Sequence, residues 1–405
     1  MQIESAMERP RRTARVVGLV STAHFFSHFY MLLLPPLFPM LREVYGVGFT
    51  ELGFAITAYS LTTGLTQAPV GFLVDRYGAR AILVIGLAMK SLAFTLIGVF
   101  PAYGALIALM VVAGLGNAVF HPADYSILNA SVEPERMGRA FSIHTFAGLL
   151  GNAVAPITMI FLISITDWRN ALILCGLAGG VVAMVIMANS GVLVGARPSS
   201  GKQSGADGAA LKSGFRLLFS LPILTGVVFF VGISVTGHGI NTFSVSTLTV
   251  MYEAPLTEVG FVLTAYLFAA PCGVLLGGWI ADRVQRHDVV AAACFVVMAA
   301  AIFSVAALSM TLPTIAVLFA IAGLFAGVVS PSRDMMIRAV TPPGEMGKVF
   351  GFVSTGFNIG GIIAPLVFGY ILDHAAPSYV FWTAGAVALA TVCTVLYTGR
   401  QGRRV

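Results

Sequence analysis

Long runs of apolar residues, separated by short polar breaks, divide the chain into about twelve segments. The runs are longer than the 9–11 residues of a membrane-spanning β-strand and do not alternate with period two, so they predict membrane-spanning helices. The predicted spans are residues 16–40, 51–73, 80–99, 102–130, 137–163, 169–193, 216–247, 257–281, 289–309, 312–338, 346–371 and 378–398.

The composition agrees with this pattern, because 58% of the 405 residues are hydrophobic and only 10% are charged. A soluble domain carries about 25% charged residues, so soluble and disordered proteins are both excluded. The chain has no GxxxxGK[ST] phosphate loop and no nucleophile–base–acid arrangement, which argues against an ATP-driven protein and against an enzyme. Its four cysteines lie in apolar runs without a CxxC pair, so we expect packing residues, no metal site and no cofactor.

Basic residues predict the orientation of the spans. Nineteen of them lie at the two termini and in alternate loops, whereas the opposite loops hold only Arg42 and Arg169. By the positive-inside rule both termini face the cytoplasm, and the positive net charge belongs to this surface rather than to a nucleic-acid site. The first apolar run is too long for a signal peptide and no cleavage site follows it, so we interpret it as a spanning helix. The predicted location is the inner (plasma) membrane.

Internal self-similarity indicates a duplicated unit. At an offset of 207, six residues of the segment 51–59 recur in 258–266, and at an offset of 209, six residues of the segment 137–156 recur in 346–365. Six spans return the chain to the same side of the membrane, so the two copies are parallel repeats. The Gly-, Ser- and Ala-rich segment between them predicts a flexible linker. The expected division is an N-terminal half at 1–193, a cytoplasmic linker at 194–215 and a C-terminal half at 216–405.

A charged loop follows the second span and is repeated in the second half. Its first copy reads "GFLVDRYGAR", in which a glycine allows close helix approach, a carboxylate can cap a neighbouring helix and two arginines can pair across the halves. The alternative is an ordinary charged loop. The candidate gating residues are Gly71, Asp75, Arg76, Gly78 and Arg80, with Gly278, Asp282 and Arg283 in the second copy.

This loop, on twelve spans in two parallel halves, resembles the major facilitator superfamily over essentially the whole chain. The resemblance implies an all-α membrane fold, alternation between inward- and outward-facing states, and a loop that stabilises the outward-open state. Three segments, "QAPVGFLVDRYG", "GNAVFHPADYS" and "GRAFSIHTFAGLLGNAVAP", are similar to the fosmidomycin-resistance group of that superfamily. That group is associated with export of a small phosphonate-type antibiotic in exchange for protons.

Polar residues inside the spans form four stripes at helical spacing. An ionisable group is costly inside a membrane, so such stripes indicate a polar cavity, although a single buried histidine is often only a packing residue. The first, fourth, seventh and tenth spans also line the cavity in the superfamily that the chain resembles. The stripes are Ser21, His24 and His28; Asn117, His121 and Asp124; Ser234, His238 and Asn241; and Ser330 and Arg333.

Asp124 and Arg333 occupy equivalent positions of the two copies. One interpretation is a salt bridge that locks the halves, although Asp334 is an equally good partner for the arginine. In the other, Arg333 grips an anionic group of the substrate and Asp124, desolvated near a histidine, carries the coupling proton. Because histidine titrates near neutral pH, the alternative proton carriers are His24, His28, His121, His144 and His238. Lys90, in the third span, either extends its ammonium group to the membrane surface or pairs with another polar group.

Together these features predict a proton-coupled secondary transporter for a small polar or anionic organic molecule. Its expected partners are the substrate, protons and membrane lipids, without nucleic acid, and one chain holds both halves of a carrier, so a monomer suffices. Two directions stay open, efflux of a drug or antibiotic and uptake of an organic anion by symport. A non-transporting binding or assembly factor on the same fold, and a channel, are the alternatives from other classes.

Overall fold

The computed structural model describes residues 8–193, 217–342 and 345–402, and within these ranges the secondary structure is helical, without a strand. The predicted linker at 194–215 lies outside the described residues. Eleven helical segments of the described chain are long and apolar enough to cross a membrane. The remaining predicted span, helix α3, is long enough at 29 residues but contains several threonines and a glutamine. This agrees with the all-α membrane fold expected from the sequence.

The helices before the linker are α1 Glu8–Met31, α2 Phe38–Tyr45, α3 Phe49–Tyr77, α4 Ala79–Val99, α5 Tyr103–Asn117, α6 Phe120–Ser131, α7 Pro134–Ile165 and α8 Trp168–Ala188. The helices after it are α9 Leu221–Asn241, α10 Ser244–Tyr252, α11 Leu256–Ala281, α12 His287–Ala307, α13 Leu312–Ala339, α14 Met346–His374 and α15 Tyr379–Gly402.

Three predicted spans are each divided into two helices, which the hydrophobic pattern did not predict. The first is broken at Pro35 and Pro36, where a short 3-10 turn separates α1 from α2. The fourth is broken between α5 and α6, because Pro122 lacks the N–H that would bond the carbonyl of Ala118. The seventh is broken after Asn241. The predicted stripe of the fourth span is therefore shared between the end of α5 and the start of α6.

The chain forms two compact units. Of the described residues, 8–37 and 58–193 belong to the first unit, and 38–57, 217–342 and 345–402 belong to the second. The segment 38–57 joins the second unit because the Asp373 carboxylate accepts hydrogen bonds from the backbone N–H groups of Phe49 and Thr50, both at 2.8 Å. This carboxylate caps the N-terminus of α3 from the end of α14.

Glycines allow close helix contact where the candidate site is built. In the first unit, a Cβ atom on Gly116 would lie 2.7 Å from the carbonyl oxygen of Gly86, so α4 and α5 touch through their backbones. In the second unit, a Cβ atom on Gly277 would lie 2.7 Å from the carbonyl oxygen of Val328, which places α11 directly against α13. Larger residues at these positions would force the helices apart.

The segment predicted as the first gating loop is mostly helical, because α3 continues to Tyr77. Gly78 alone separates α3 from α4, and its φ of +89° lies in the region that favours glycine. A Cβ atom on Gly71 would meet no atom of its own unit within 4 Å, so the close approach expected there is not found inside the unit. In the second copy, Gly278 lies in α11, Asp282 follows its end, and the Arg283 guanidinium lies 4.1 Å from the ring of Trp279.

Candidate functional site

Three helices of the first unit bring together four histidines and one carboxylate, which we term the histidine–aspartate cluster. Helix α1 contributes His24 and His28, α6 contributes His121 and Asp124, and α7 contributes His144. The ring centroid of His24 lies 3.7 Å from that of His144, 4.6 Å from that of His28 and 5.6 Å from that of His121. The structure thus joins the predicted stripe of the first span to the α6 part of the fourth.

Asp124 lies at the centre of this cluster, with no exposed surface. Its Oδ2 lies 2.9 Å from Nε2 of His144 and 3.3 Å from Nδ1 of His24. The other carboxylate oxygen, Oδ1, and the Nδ1 of His24 are buried and have no hydrogen-bond partner among the described residues. A buried polar atom without a partner is costly, so the cluster has the capacity to bind a further group.

Glycine and asparagine residues of α7 shape the space around the histidines. A Cβ atom on Gly148 would lie 2.8 Å from the ring of His24, so the ring occupies the space left by the missing side chain. Nδ2 of Asn152 lies 3.1 Å from Nδ1 of His28 and holds that ring in place. His121 is the exposed member of the cluster.

Lys90 forms a second polar centre in the first unit and is fully buried. Its ammonium donates to the carbonyl of Ser27 at 2.6 Å, to Oδ1 of Asn117 at 2.8 Å and to the hydroxyl of Tyr59 at 3.0 Å. All three of its N–H groups are thereby used, so Lys90 does not snorkel to the membrane surface. It also fixes the side chain of Asn117, one of the predicted site residues.

The second unit holds the predicted Arg333 and Asp334 on α13. Nε of Arg333 donates to Oδ1 of Asp334 at 2.8 Å, which is the pairing that the sequence left open. The guanidinium lies 5.1 Å from the ring centroid of Phe230 and 5.6 Å from that of Phe357. The centroids of these two rings are themselves 4.7 Å apart, so the guanidinium lies against one side of the aromatic pair, and it has further N–H groups to offer.

The other predicted residues of this unit lie at the end of α9. Nδ1 of His238 lies 2.8 Å from the carbonyl oxygen of Ser234, a local contact within the helix. Oδ1 of Asn241 is buried without a hydrogen-bond partner among the described residues. Both side chains are half-buried.

A comparison with known families decides the identity of this architecture. The model of the Major Facilitator Superfamily matches residues 20–249 and again residues 227–404, which together cover most of the chain. The chain belongs to the Major Facilitator Superfamily.

Relatives of this superfamily member are transporters. The chain is 22% identical to the fosmidomycin resistance protein of Escherichia coli (strain K12), over 96% of this chain and 93% of that protein. It is 21% identical to the probable sulfoacetate transporter SauU of Cupriavidus necator, over 91% of this chain and 89% of that protein. A bacterial homologue of the human lysosomal transporter Spinster, solved in an inward-facing and unoccupied conformation, shares the fold with a TM-score of 0.75, 14% identity and 96% coverage of both chains.

The sequence identified most residues of the two polar sites in the first unit, but it did not predict which residues contact one another. The residues His24, His28, His121 and Asp124 come together, and His144, which was considered only as a proton carrier, completes their cluster. The network around Lys90 was missed, because its three acceptors lie in parts of the chain that no local spacing connects. The roles of all these residues, and of the gating residues, stay predictions.

Proposed function

We propose that the protein is a proton-coupled secondary transporter that moves a small polar or anionic organic molecule across the plasma membrane by alternating access, with both termini in the cytoplasm. Membership of a transporter superfamily supports the general function. The finer proposal is carried by one observation, the carboxylate of Asp124 buried among histidines with an unpartnered oxygen. Asp124, assisted by His24 and His144, is the proposed proton carrier.

The cluster suits proton coupling for an electrostatic reason. A change in the number of bound protons changes the net charge of a buried site, and an uncompensated charge in a low-dielectric interior is costly. The protonation state therefore biases the protein toward conformations in which the site is more or less solvated. The Asp124–His144 contact allows one proton to be shared between a carboxylate and an imidazole.

Arg333 is the proposed contact for the anionic group of the cargo. Its Nε is used by Asp334, and no other acceptor within the described second unit lies within hydrogen-bond distance of its guanidinium. The remaining N–H groups can grip a carboxylate, sulfonate or phosphonate in a fork. Phe230 and Phe357 pack beside the guanidinium, and the low local polarity that they create strengthens such a contact. His238 and Asn241 on α9 complete the proposed substrate contacts.

Two directions of transport follow from the relatives. One relative is named for resistance to fosmidomycin, which favours efflux of a drug or antibiotic in exchange for protons. The other is named as a probable sulfoacetate transporter, which favours a small organic anion and is compatible with uptake. We propose efflux as the first candidate and organic-anion uptake by symport as the second.

The test uses the purified full chain in two stages. A thermal-shift screen with phosphonates, sulfonates, carboxylates and cationic drugs identifies a ligand, since binding to the folded state raises the melting temperature. Proteoliposomes with a pH-sensitive dye then report proton movement on addition of that ligand outside. Alkalinisation of the outer medium indicates symport, and proton release from the lumen indicates antiport.

The matched variants are Asp124→Asn and, as a control, Asp167→Asn in an exposed helix cap. We expect proton movement to disappear in the first and to persist in the second. Ligand-driven proton movement that is equal in wild type and Asp124→Asn would overturn the proposed proton carrier. Ligand transport without any proton movement in wild type would overturn proton coupling itself.

A further inference from the structure

Three potential ligand atoms converge at the centre of the histidine–aspartate cluster. They are Nδ1 of His24, Oδ2 of Asp124 and Nε2 of His144, and all lie within 4.8 Å of one another. The carboxylate oxygen is 2.9 Å from one nitrogen and 3.3 Å from the other. Ligands of a tetrahedral Zn²⁺ ion, with bonds of 2.0–2.2 Å, are separated by roughly 3.3–3.5 Å. Two of the three separations are within about 0.6 Å of those required. The third, between the two imidazole nitrogens, is at most 4.8 Å, and a bound ion requires the stacked rings of His24 and His144 to rotate toward it.

Burial and unsatisfied atoms point to an additional ligand at this position. His24, Asp124 and His144 are 4%, 0% and 2% exposed. Nδ1 of His24 and Oδ1 of Asp124 have no hydrogen-bond partner among the described residues. An ion bound to these side chains would satisfy the free nitrogen and use the free oxygen in a bidentate contact. We propose that His24, Asp124 and His144 form a binding site for a divalent transition-metal ion, with Zn²⁺ as the representative.

The type of ligand selects the type of ion. Two imidazoles and one carboxylate suit Zn²⁺, Co²⁺ or Ni²⁺, whereas Mg²⁺ and Ca²⁺ prefer sites made of oxygen atoms. The other titratable groups near the site are His28 on α1, His121 and Tyr125 on α6, and Lys90 on α4. These groups are neutral or positive, so they disfavour ions that rely on charge attraction alone.

The surroundings also supply the remaining features of a metal site. With the carboxylate bidentate, two imidazole nitrogens and two carboxylate oxygens supply the four ligand atoms that a Zn²⁺ ion commonly takes. The ring of His121, the exposed member of the cluster, lies 5.6 Å from that of His24. Gly148 allows the His24 ring to lie close against α7, since a Cβ there would lie 2.8 Å from the ring.

A bound metal ion would compete with protons, because both need the same deprotonated atoms. Metal binding would hold the cluster in its deprotonated state and inhibit transport. The binding itself stands on geometry alone, whereas this effect on transport rests on the proposed function. The two can be tested separately.

The binding test uses the purified full chain with its affinity tag removed. Titration calorimetry with Zn²⁺ measures affinity and stoichiometry, and visible absorption with Co²⁺ reports coordination by imidazole. We expect one ion per chain, with at least a tenfold loss of affinity in His144→Ala and in Asp124→Asn, in keeping with the contribution of a direct ligand. His374→Ala, which removes an exposed histidine at the end of α14, is the matched control and should bind as wild type.

Each outcome decides the inference. Equal affinity in wild type, His144→Ala and Asp124→Asn, or no visible Co²⁺ band in wild type, overturns the metal site. If a variant fails to fold, as judged by gel filtration and its melting temperature without metal, His24→Gln replaces it and must also lose affinity. Metal binding that leaves proton-coupled transport unaffected supports the site and contradicts the proposed role of Asp124. Absence of metal binding, with proton movement lost in Asp124→Asn, contradicts the site alone.

Discussion

Asp124 in the first unit and Arg333 in the second are equivalent positions of the duplicated sequence, yet their surroundings differ in every chemical respect. Asp124 has no exposed surface and lies against imidazoles, whereas the Arg333 side chain is 19% exposed and lies beside a carboxylate and two phenyl rings. The first surroundings suit the exchange of a proton or a metal ion. The second suit the binding of an anion. Equivalent positions of the two repeats therefore carry an acidic side chain in the first copy and a basic side chain in the second.

The backbone differs at the same place. Each position is preceded, two residues earlier, by a proline, at Pro122 in the first copy and Pro331 in the second. The helix ends near Pro122, giving separate helices α5 and α6, but α13 continues through Pro331. The break places His121 and Asp124 in the first turns of a separate helix, α6. A proline therefore permits a break, and the packing around it decides whether the break occurs.

The largest expected effect comes from Asp124→Asn. The substitution removes the proposed proton carrier from the centre of the cluster, so uphill, proton-driven transport should be abolished. Exchange of labelled for unlabelled substrate across the membrane needs no net proton movement and should continue. Counterflow and proton-driven accumulation in the same proteoliposomes separate the two. If Asp124→Asn still accumulated substrate against its gradient, the proposed difference in role between Asp124 and Arg333 would be contradicted.

A smaller effect is expected from Arg333→Gln. Loss of charge-assisted hydrogen bonds of about 1.5–3 kcal/mol should raise the KM for an anionic substrate by roughly 10- to 100-fold while proton coupling persists. Arg338→Gln removes an exposed cation from the last turn of the same helix and serves as the control. A KM that is unchanged in Arg333→Gln, or raised equally in both variants, would contradict the proposed anion contact.

Lys90→Met tests whether the polar network beside the cluster serves stability. The substitution keeps the length of the side chain but leaves three buried acceptors without their donor, so the melting temperature should fall by several degrees. Lys348→Met removes a largely exposed lysine that pairs with Glu345, and it should change the melting temperature little. Equal melting temperatures for Lys90→Met and wild type would show that the network does not hold the first unit together.

The smallest effect is expected from the exposed carboxylate of Asp167, which serves as a reference for the buried carboxylate of Asp124. Asp167 caps α8, and hydrogen bonds from the backbone N–H groups of Asn170 and Arg169 lower its pKa below the ordinary value of 3.8. Because the pKa is lowered in the folded state, the stabilisation is present above that ordinary value and is lost as the pH falls below it. Asp167→Ala should lower the melting temperature by about 1 °C at pH 7. The difference should shrink near pH 3, and a constant or growing difference would contradict the capping role.

Much of this architecture follows from the sequence, for identifiable reasons. Apolar run lengths gave the spans, and helical spacing placed His24 with His28 and His121 with Asp124 on common faces. The breaks at Pro35, Pro36 and Pro122 depend on local chemistry that the run lengths ignore. The partners of Lys90 and the meeting of His144 with Asp124 depend on how separate helices pack, which no spacing within one helix encodes.

The most direct test of the central claim, that the buried Asp124 carries the coupling proton, needs no membrane. In weakly buffered detergent solution, a pH indicator measures the protons exchanged when purified protein binds its ligand. We expect wild type to release a proton in an exporter of the antiport type, or to take one up in a symporter, and Asp124→Asn to exchange none while still binding ligand. Proton exchange of the same size in Asp124→Asn and wild type would assign the coupling to another group and contradict the claim.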